Sequence, residues 1–248
     1  MVFSGFSTAS LEQNMELNIP QTECATDLQA LLNQVDTYVP GRTEGRTTAH
    51  TEKYTMHRYL ETLVKNNMLT FPVSVEHSDK PDFVFKEKNT TIGIEVTEAV
   101  SKQFAAYCAL REREFPKSIL DLGLFYWGAP ERTVSEMREL LEKNKITSSG
   151  WAGDSPEREW ALYINSIVRV KLKKLAHIEF IKYHQNYLLI YDNLPLPNVH
   201  AKKATEYLVK QLQDTWSLLP SFDSIFVERG PVLVEITKNG SHNYVCEN

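Results

Sequence analysis

Two carboxylates stand in positions where an acidic side chain has to be explained. Asp82 opens the apolar run Phe83-Val84-Phe85, and Glu95 interrupts Ile92-Gly93-Ile94-Glu95-Val96-Thr97. Burying a Glu within an apolar strand requires a charged partner or a metal ion. Carboxylate oxygens suit hard divalent cations such as Mg²⁺ or Mn²⁺. A cation of that kind polarises a phosphate and lowers the pKa of a bound water, which is the chemistry of phosphodiester hydrolysis. Two acids must then converge on one point. Alternate residues of a strand share a face, so Gly93, Glu95 and Thr97 point one way while Ile92, Ile94 and Val96 enter the core. A hairpin turn at Lys88-Asn89 places Asp82 across from the Glu95 region.

A second concentration is positive. Arg169, Lys171, Lys173, Lys174, His177, Lys182 and His184 lie within sixteen residues, with Glu179 the only acid among them. At 3.6 residues per turn, Ile164, Ile167, Val168, Leu172, Leu175 and Ile178 form a buried stripe with the lysines on its flanks. Such a face is ordinarily just solvated. Its functional reading is a set of phosphate contacts from Arg169, Lys171, Lys173 and Lys174 beside an acidic pocket. Other chemistries find no support. GxGxxG, GxxxxGK[ST] and GxSxG are absent, His50 and His57 have no third partner spaced for zinc, and the four tryptophans are too scattered for a base-stacking row.

The elements that must position these residues follow from periodicity. Residues 52–69 carry apolar side chains at spacings of three and four, which predicts an amphipathic helix. Residues 71–77, 82–87 and 90–98 read as strands. Ser101 can N-cap a helix over 102–114, with Pro116 just beyond it. A charged helix over 131–145 and a longer one from Ser155 to about His184 make a helical insertion, about 116–185. Residues 187–193 are an apolar run of strand length, suited to burial on both faces. A helix over 199–218 and two closing strands joined at Gly230-Pro231 complete the chain. Residues 1–50, polar and containing the stretch GRTEGRTTAH, read as an arm and linker before a core spanning 51–248.

In this order, and on the residues Pro81-Asp82 and Ile92-Gly93-Ile94-Glu95-Val96-Thr97, the sequence resembles the PD-(D/E)xK nuclease-like superfamily. The resemblance spans roughly residues 52–237, but about fifteen residues carry it. It implies an α/β fold, a mixed central sheet flanked by helices in αβββαβ order. It further implies a DNA substrate, an Mg²⁺ or Mn²⁺ cofactor held by Asp82, Glu95 and the Val96 carbonyl, and a possible homodimer. Thr97 departs from the pattern, because a lysine that orients or activates the attacking water usually stands there. Lys102, in the first turn of the following helix, is the nearest replacement, and Lys80 and Lys86 are less well placed. Gln103 and Tyr107, four residues apart, resemble an accessory motif of exonuclease-type members. Glu61 matches an acid that many members add to the metal shell. The alternative implied by Thr97 is an inactive relative that binds nucleic acid or a protein partner.

Bulk properties agree with a folded domain. The 248 residues are 42% hydrophobic and 24% charged, which excludes collagen-like, coiled-coil and wholly disordered chains. With 27 basic and 32 acidic residues the formal charge is −5, so any nucleic-acid contact has to be a local basic surface rather than a general coating. Cys24, Cys108 and Cys246 form no CxxC pair, which points to a reducing compartment. No stretch approaches the roughly 18 apolar residues that span a bilayer. The expected location is cytoplasmic, with no membrane partner.

Overall fold

A computed structural model describes residues 16–246 of the chain. Residues 1–15, part of the expected arm, lie outside the described residues. The fold is α/β, as the periodicities imply. A single eight-stranded sheet holds β1 (Ile19–Thr22), β2 (Val73–His77), β3 (Phe83–Glu87), β4 (Thr90–Ala99), β5 (Gln185–Asp192), β6 (Ser224–Arg229), β7 (Val232–Thr237) and β8 (Gly240–Val245). Their spatial order is their order along the chain. β4, β5 and β6 run parallel, and every other pairing is antiparallel.

Parallel neighbours need crossovers, and helices supply them. α3 (Lys102–Glu114), α4 (Val134–Lys143) and α5 (Ser155–Leu175) lie between β4 and β5, and α6 (Ala201–Gln211) lies between β5 and β6. Before β2 come α1 (Ala25–Leu32) and α2 (Thr48–Lys65). Helices therefore cover both faces, and the parallel strands are apolar on both sides. On one face Ile92, Ile94, Val96 and Leu189 pack with Leu28 and Leu32 of α1 and Met56, Tyr59 and Leu60 of α2. On the other, Leu188, Ile190 and Ile225 pack with Ile164, Val168, Leu172 and Leu175 of α5 and Leu208 of α6. A satellite cluster of Tyr107, Leu110, Phe125, Met137 and Leu141 holds the insertion together.

Several boundaries depart from the sequence reading. The described part of the segment read as an arm and linker belongs to the fold, because β1 pairs with β2 and Ile19, Leu28 and Leu32 enter the core. α2 starts at Thr48, where Thr47 and His50 form a reciprocal capping box, so its first turn lies inside the stretch read as linker. α5 ends at Leu175 rather than near His184, and Ile178, expected in the buried stripe, is 92% exposed. α6 is shorter than the expected 199–218, and β8 adds a strand beyond the expected closing pair. Ser101 does cap α3, its Oγ accepting the Phe104 amide N–H at 2.9 Å.

The β3–β4 hairpin fixes the positions of both acids. Lys88 takes the left-handed conformation at its turn (φ 50°), and the register pairs Phe83 with Ile94 and Val84 with Gly93. Gly93 is required by close approach: a Cβ there would stand 2.8 Å from the Tyr183 ring and 2.9 Å from Pro81 Cγ. The residue next to Pro81 is Asp82, so crowding here reaches the acid pair. Gly93→Ala is expected to cost about 1–3 kcal/mol by overpacking, read as a lower urea midpoint at unchanged slope. An unchanged midpoint would show that Pro81 and Tyr183 yield freely.

Candidate active site

Extending the hairpin register by one residue beyond Phe83 and Ile94 sets Asp82 against Glu95. Asp82 Oδ2 accepts the Val96 amide N–H at 2.6 Å, so the first acid is tied to the strand that carries the second. Glu95 sits on the α5 face of β4, level with Leu188 on β5 and Ile225 on β6. It is 1% exposed. A carboxylate in that apolar row needs compensation, and α5 provides it. Lys171 Nζ donates to Glu95 Oε1 at 2.7 Å and Lys174 Nζ to the same oxygen at 2.6 Å. Lys171 also donates to the Val96 carbonyl at 3.2 Å.

The helix geometry explains why these two lysines arrive together. Leu172 and Leu175 belong to the buried stripe, and Lys171 and Lys174, three residues apart, each precede one of them. Their aliphatic stems lie along the apolar face while the ammonium groups reach the polar pocket. Glu95 Oε2 is buried and has no hydrogen-bond partner among the described residues.

Charge crowding shifts the acids. Burial is the largest cause at Asp82 and the Glu95 charge the next, and they outweigh the Val96 amide to push its carboxyl up to about 7. Burial also raises Glu52, in the second turn of α2, with Glu95 adding to the rise and His77, Lys171 and Lys174 opposing it. Burial works to lower Lys174, but the hydrogen bond and charge of Glu95 win and hold its proton above the ordinary range. The site is thus three acids, Glu52, Asp82 and Glu95, answered by two lysines and His77.

The structure gathers some of the expected residues and separates others. Asp82, Glu95, Val96, Lys171 and Lys174 are together. Thr97 lines a neighbouring open pocket of about 310 Å³. Lys102 and Gln103 line a different pocket with Tyr126 and Trp127, and Gln103 Oε1 accepts the Arg132 amide N–H at 2.9 Å. Lys102 makes no ion pair with Asp82 or Glu95 among the described residues, and the lysines that pair with Glu95 come from α5 instead. Tyr107 is a core residue, buried against Phe125 at 5.0 Å. Arg169 binds Asp214 at 2.9 Å, and Lys173 is exposed. Glu61 lies 3.5 Å from His57 and Glu52 takes the place near the acid pair that Glu61 was expected to fill. Glu52 and His77 gave no signal in the sequence: one sits among Thr and Lys near a helix start, the other at a strand end.

The oxygens able to hold a hard cation are those of Asp82, Glu95 Oε2 and the Val96 carbonyl. The unpartnered Oε2 and the elevated Asp82 are what a cation would relieve, so these donors fit one. Among the described residues, no group of three or more His, Cys, Asp or Glu side chains is arranged to hold a metal ion. No described helix is long and apolar enough to cross a membrane. No protein-family model, curated protein or solved structure matches the chain.

Asp82 makes stability depend on pH. Its native value of about 7 lies above the ordinary 3.8, so between these limits the native state keeps a proton that the unfolded chain has released. That contribution is complete below about pH 4 and is lost as pH rises through 7. Asp82→Asn mimics the protonated form. Chemical denaturation should show wild type losing stability relative to Asp82→Asn from pH 5 to pH 8, by more than about 1 kcal/mol at the upper end. Parallel curves would remove the proposed crowding.

Proposed function

We propose that the chain is a metal-dependent nuclease-like phosphodiesterase acting on DNA, with Mg²⁺ or Mn²⁺ held by Asp82, Glu95 and the Val96 carbonyl. The observation that carries this reading is the meeting of Asp82 and Glu95 on one hairpin with Lys171 bridging Glu95 and the Val96 carbonyl. It supports the resemblance to the PD-(D/E)xK superfamily with one change: the cation that usually follows Glu95 on its own strand comes from α5. When bound, the metal would polarise the phosphoryl group and acidify the attacking water.

The chain's own residues have separable parts. Glu95 fixes the ammonium of Lys171 beside the Val96 carbonyl, where it can orient a water and stabilise charge developing on a phosphate oxygen. Lys174 shares Glu95 Oε1 and adds a second positive charge against the repulsion between the acids and a phosphate. Asp82, its carboxyl pushed up to about 7, would have to give up its proton to hold a cation, which would couple metal affinity to pH.

A second reading is favoured by the double lysine pairing of Glu95 Oε1. Two ammonium groups already neutralise one of its oxygens, as they would in a protein that binds nucleic acid without cleaving it. Calorimetric titration of Mn²⁺ separates the two. Nuclease function predicts binding to wild type that disappears in Glu95→Ala, together with loss of DNA cleavage. Lys171→Met should keep the metal and lower cleavage about 10²- to 10⁴-fold, while Lys102→Ala should cleave near the wild-type rate. DNA binding with no Mn²⁺ uptake, with or without DNA present, would select the second reading.

A further inference from the structure

The pocket that meets the acid pair at Val96 and Lys171 is lined beyond them by Arg42, Arg46, Thr47, Thr48, Thr51, Glu52, Thr97 and Glu98. Arg42 and Arg46 come from the loop before α2, in which Gly45 takes φ +87°, a conformation that glycine alone adopts readily. The turn brings both guanidinium groups to one atom: Arg42 Nη2 and Arg46 Nη2 each lie 3.0 Å from Glu98 Oε1. Asn193 Nδ2 donates to that same oxygen at 2.6 Å. Arg46 further engages Thr51 Oγ1 through Nε and Nη2. Two guanidiniums and an amide thus converge on a single carboxylate, whose one negative charge is shared between both cations. A guanidinium offers five N–H donors, and the contact to Glu98 is the hydrogen bond that Arg42 makes among the described residues.

From these contacts we infer that the Arg42–Arg46 pocket is an anion subsite that takes a phosphate group of a nucleic-acid strand, beside the phosphate at Asp82 and Glu95. Three features argue for a phosphate. Planar guanidinium forks match tetrahedral oxyanions. Thr47 and Thr48, at the N-terminus of the eighteen-residue α2, line the same wall, where backbone N–H groups favour negative charge. The volume, about 310 Å³, is at the small end of ligand pockets, enough for a phosphate and its sugar. Glu52, the second acid of the lining, faces the shared edge with Asp82 and Glu95 and so sets the boundary between the anion subsite and the cation-seeking oxygens. The inference rests on the nuclease reading for the carrier of the phosphate, not for the subsite itself.

The test uses the full chain and two probes. In thermal unfolding, millimolar inorganic phosphate should raise the Tm of wild type above that in chloride of equal ionic strength, raise Arg42→Lys less, and leave Arg42→Gln unmoved. Tm values without phosphate report whether each variant folds, and Arg46 keeps Glu98 paired in both. The second probe is a fluorescent DNA strand, bound in EDTA and followed by anisotropy. Arg42→Gln should bind it about tenfold more weakly, the loss of one charge-assisted contact, with a salt slope reduced by about 0.7, one phosphate's share. Loss confined to a 5′-phosphorylated strand assigns a terminal phosphomonoester, and equal loss with a 5′-hydroxyl strand assigns an internal phosphodiester; both support the subsite. Wild-type affinity and slope in Arg42→Gln overturn it. Should wild type bind no strand, the phosphate arm decides: Arg42-dependent protection keeps the subsite and removes the nuclease reading, and no protection removes both.

Discussion

Glu95 places a carboxylate in the middle of an apolar row at the centre of the sheet, and the surroundings are organised around answering it. An isolated ion there would cost several kcal/mol or give up its charge. Lys171 and Lys174 both donate to its Oε1, and they reach it because α5 packs along that face through Ile164, Val168, Leu172 and Leu175. The packing of the crossover helix and the electrostatics of the acid pair are therefore one arrangement. Shifting α5 by a turn would move both ammonium groups away while leaving an apolar stripe still able to dock. Asp82 is secured differently, through the Val96 amide. One acid is balanced by charge and the other by a backbone dipole, and burial with the Glu95 charge pushes the second up to about 7.

The hairpin, the acid pair and the α5 stripe are legible in sequence because each is local. Asp82 and Glu95 are thirteen residues apart across one tight turn, and strand periodicity alone brings them level. Ser101 can be read as a cap from its own position. What is not legible depends on distant pairing. Nothing in residues 41–50 announces that Arg42 and Arg46 meet at Glu98, some fifty residues on, and a polar, glycine-containing stretch looks like a linker. The short strand β1 and the polar β8 are held mainly by partners rather than by strong strand patterns of their own. Ile178 shows the converse error: helical spacing continues in the sequence past Leu175, where the helix has already ended.

Position 97 is a threonine, and the ammonium groups that reach Glu95 come from another element, α5. The strand residue two places after Glu95 points along the same face, so a lysine there would be one short reach from the acids. From α5 the reach is comparable but crosses the interface between helix and sheet. Lys102 is nearer to Glu95 along the chain than Lys171, yet it is directed toward the pocket of Tyr126 and Trp127. Proximity in sequence is a poor guide here because β4 continues to Ala99 before α3 begins, carrying Lys102 away from the pair.

Every strand in the sheet pairs with the strand that precedes it in the chain. A nascent polypeptide can therefore extend the sheet in the order of its synthesis, without threading a late strand between two earlier ones. The hairpin bearing Asp82 and Glu95 emerges well before the lysines that neutralise it, with the insertion translated in between. Until α5 is present Glu95 has neither of its ammonium partners, whereas Asp82 has the Val96 amide of its own hairpin. Docking of α5 is the event that closes them from solvent, so burial of the charge and its compensation arrive in the same step.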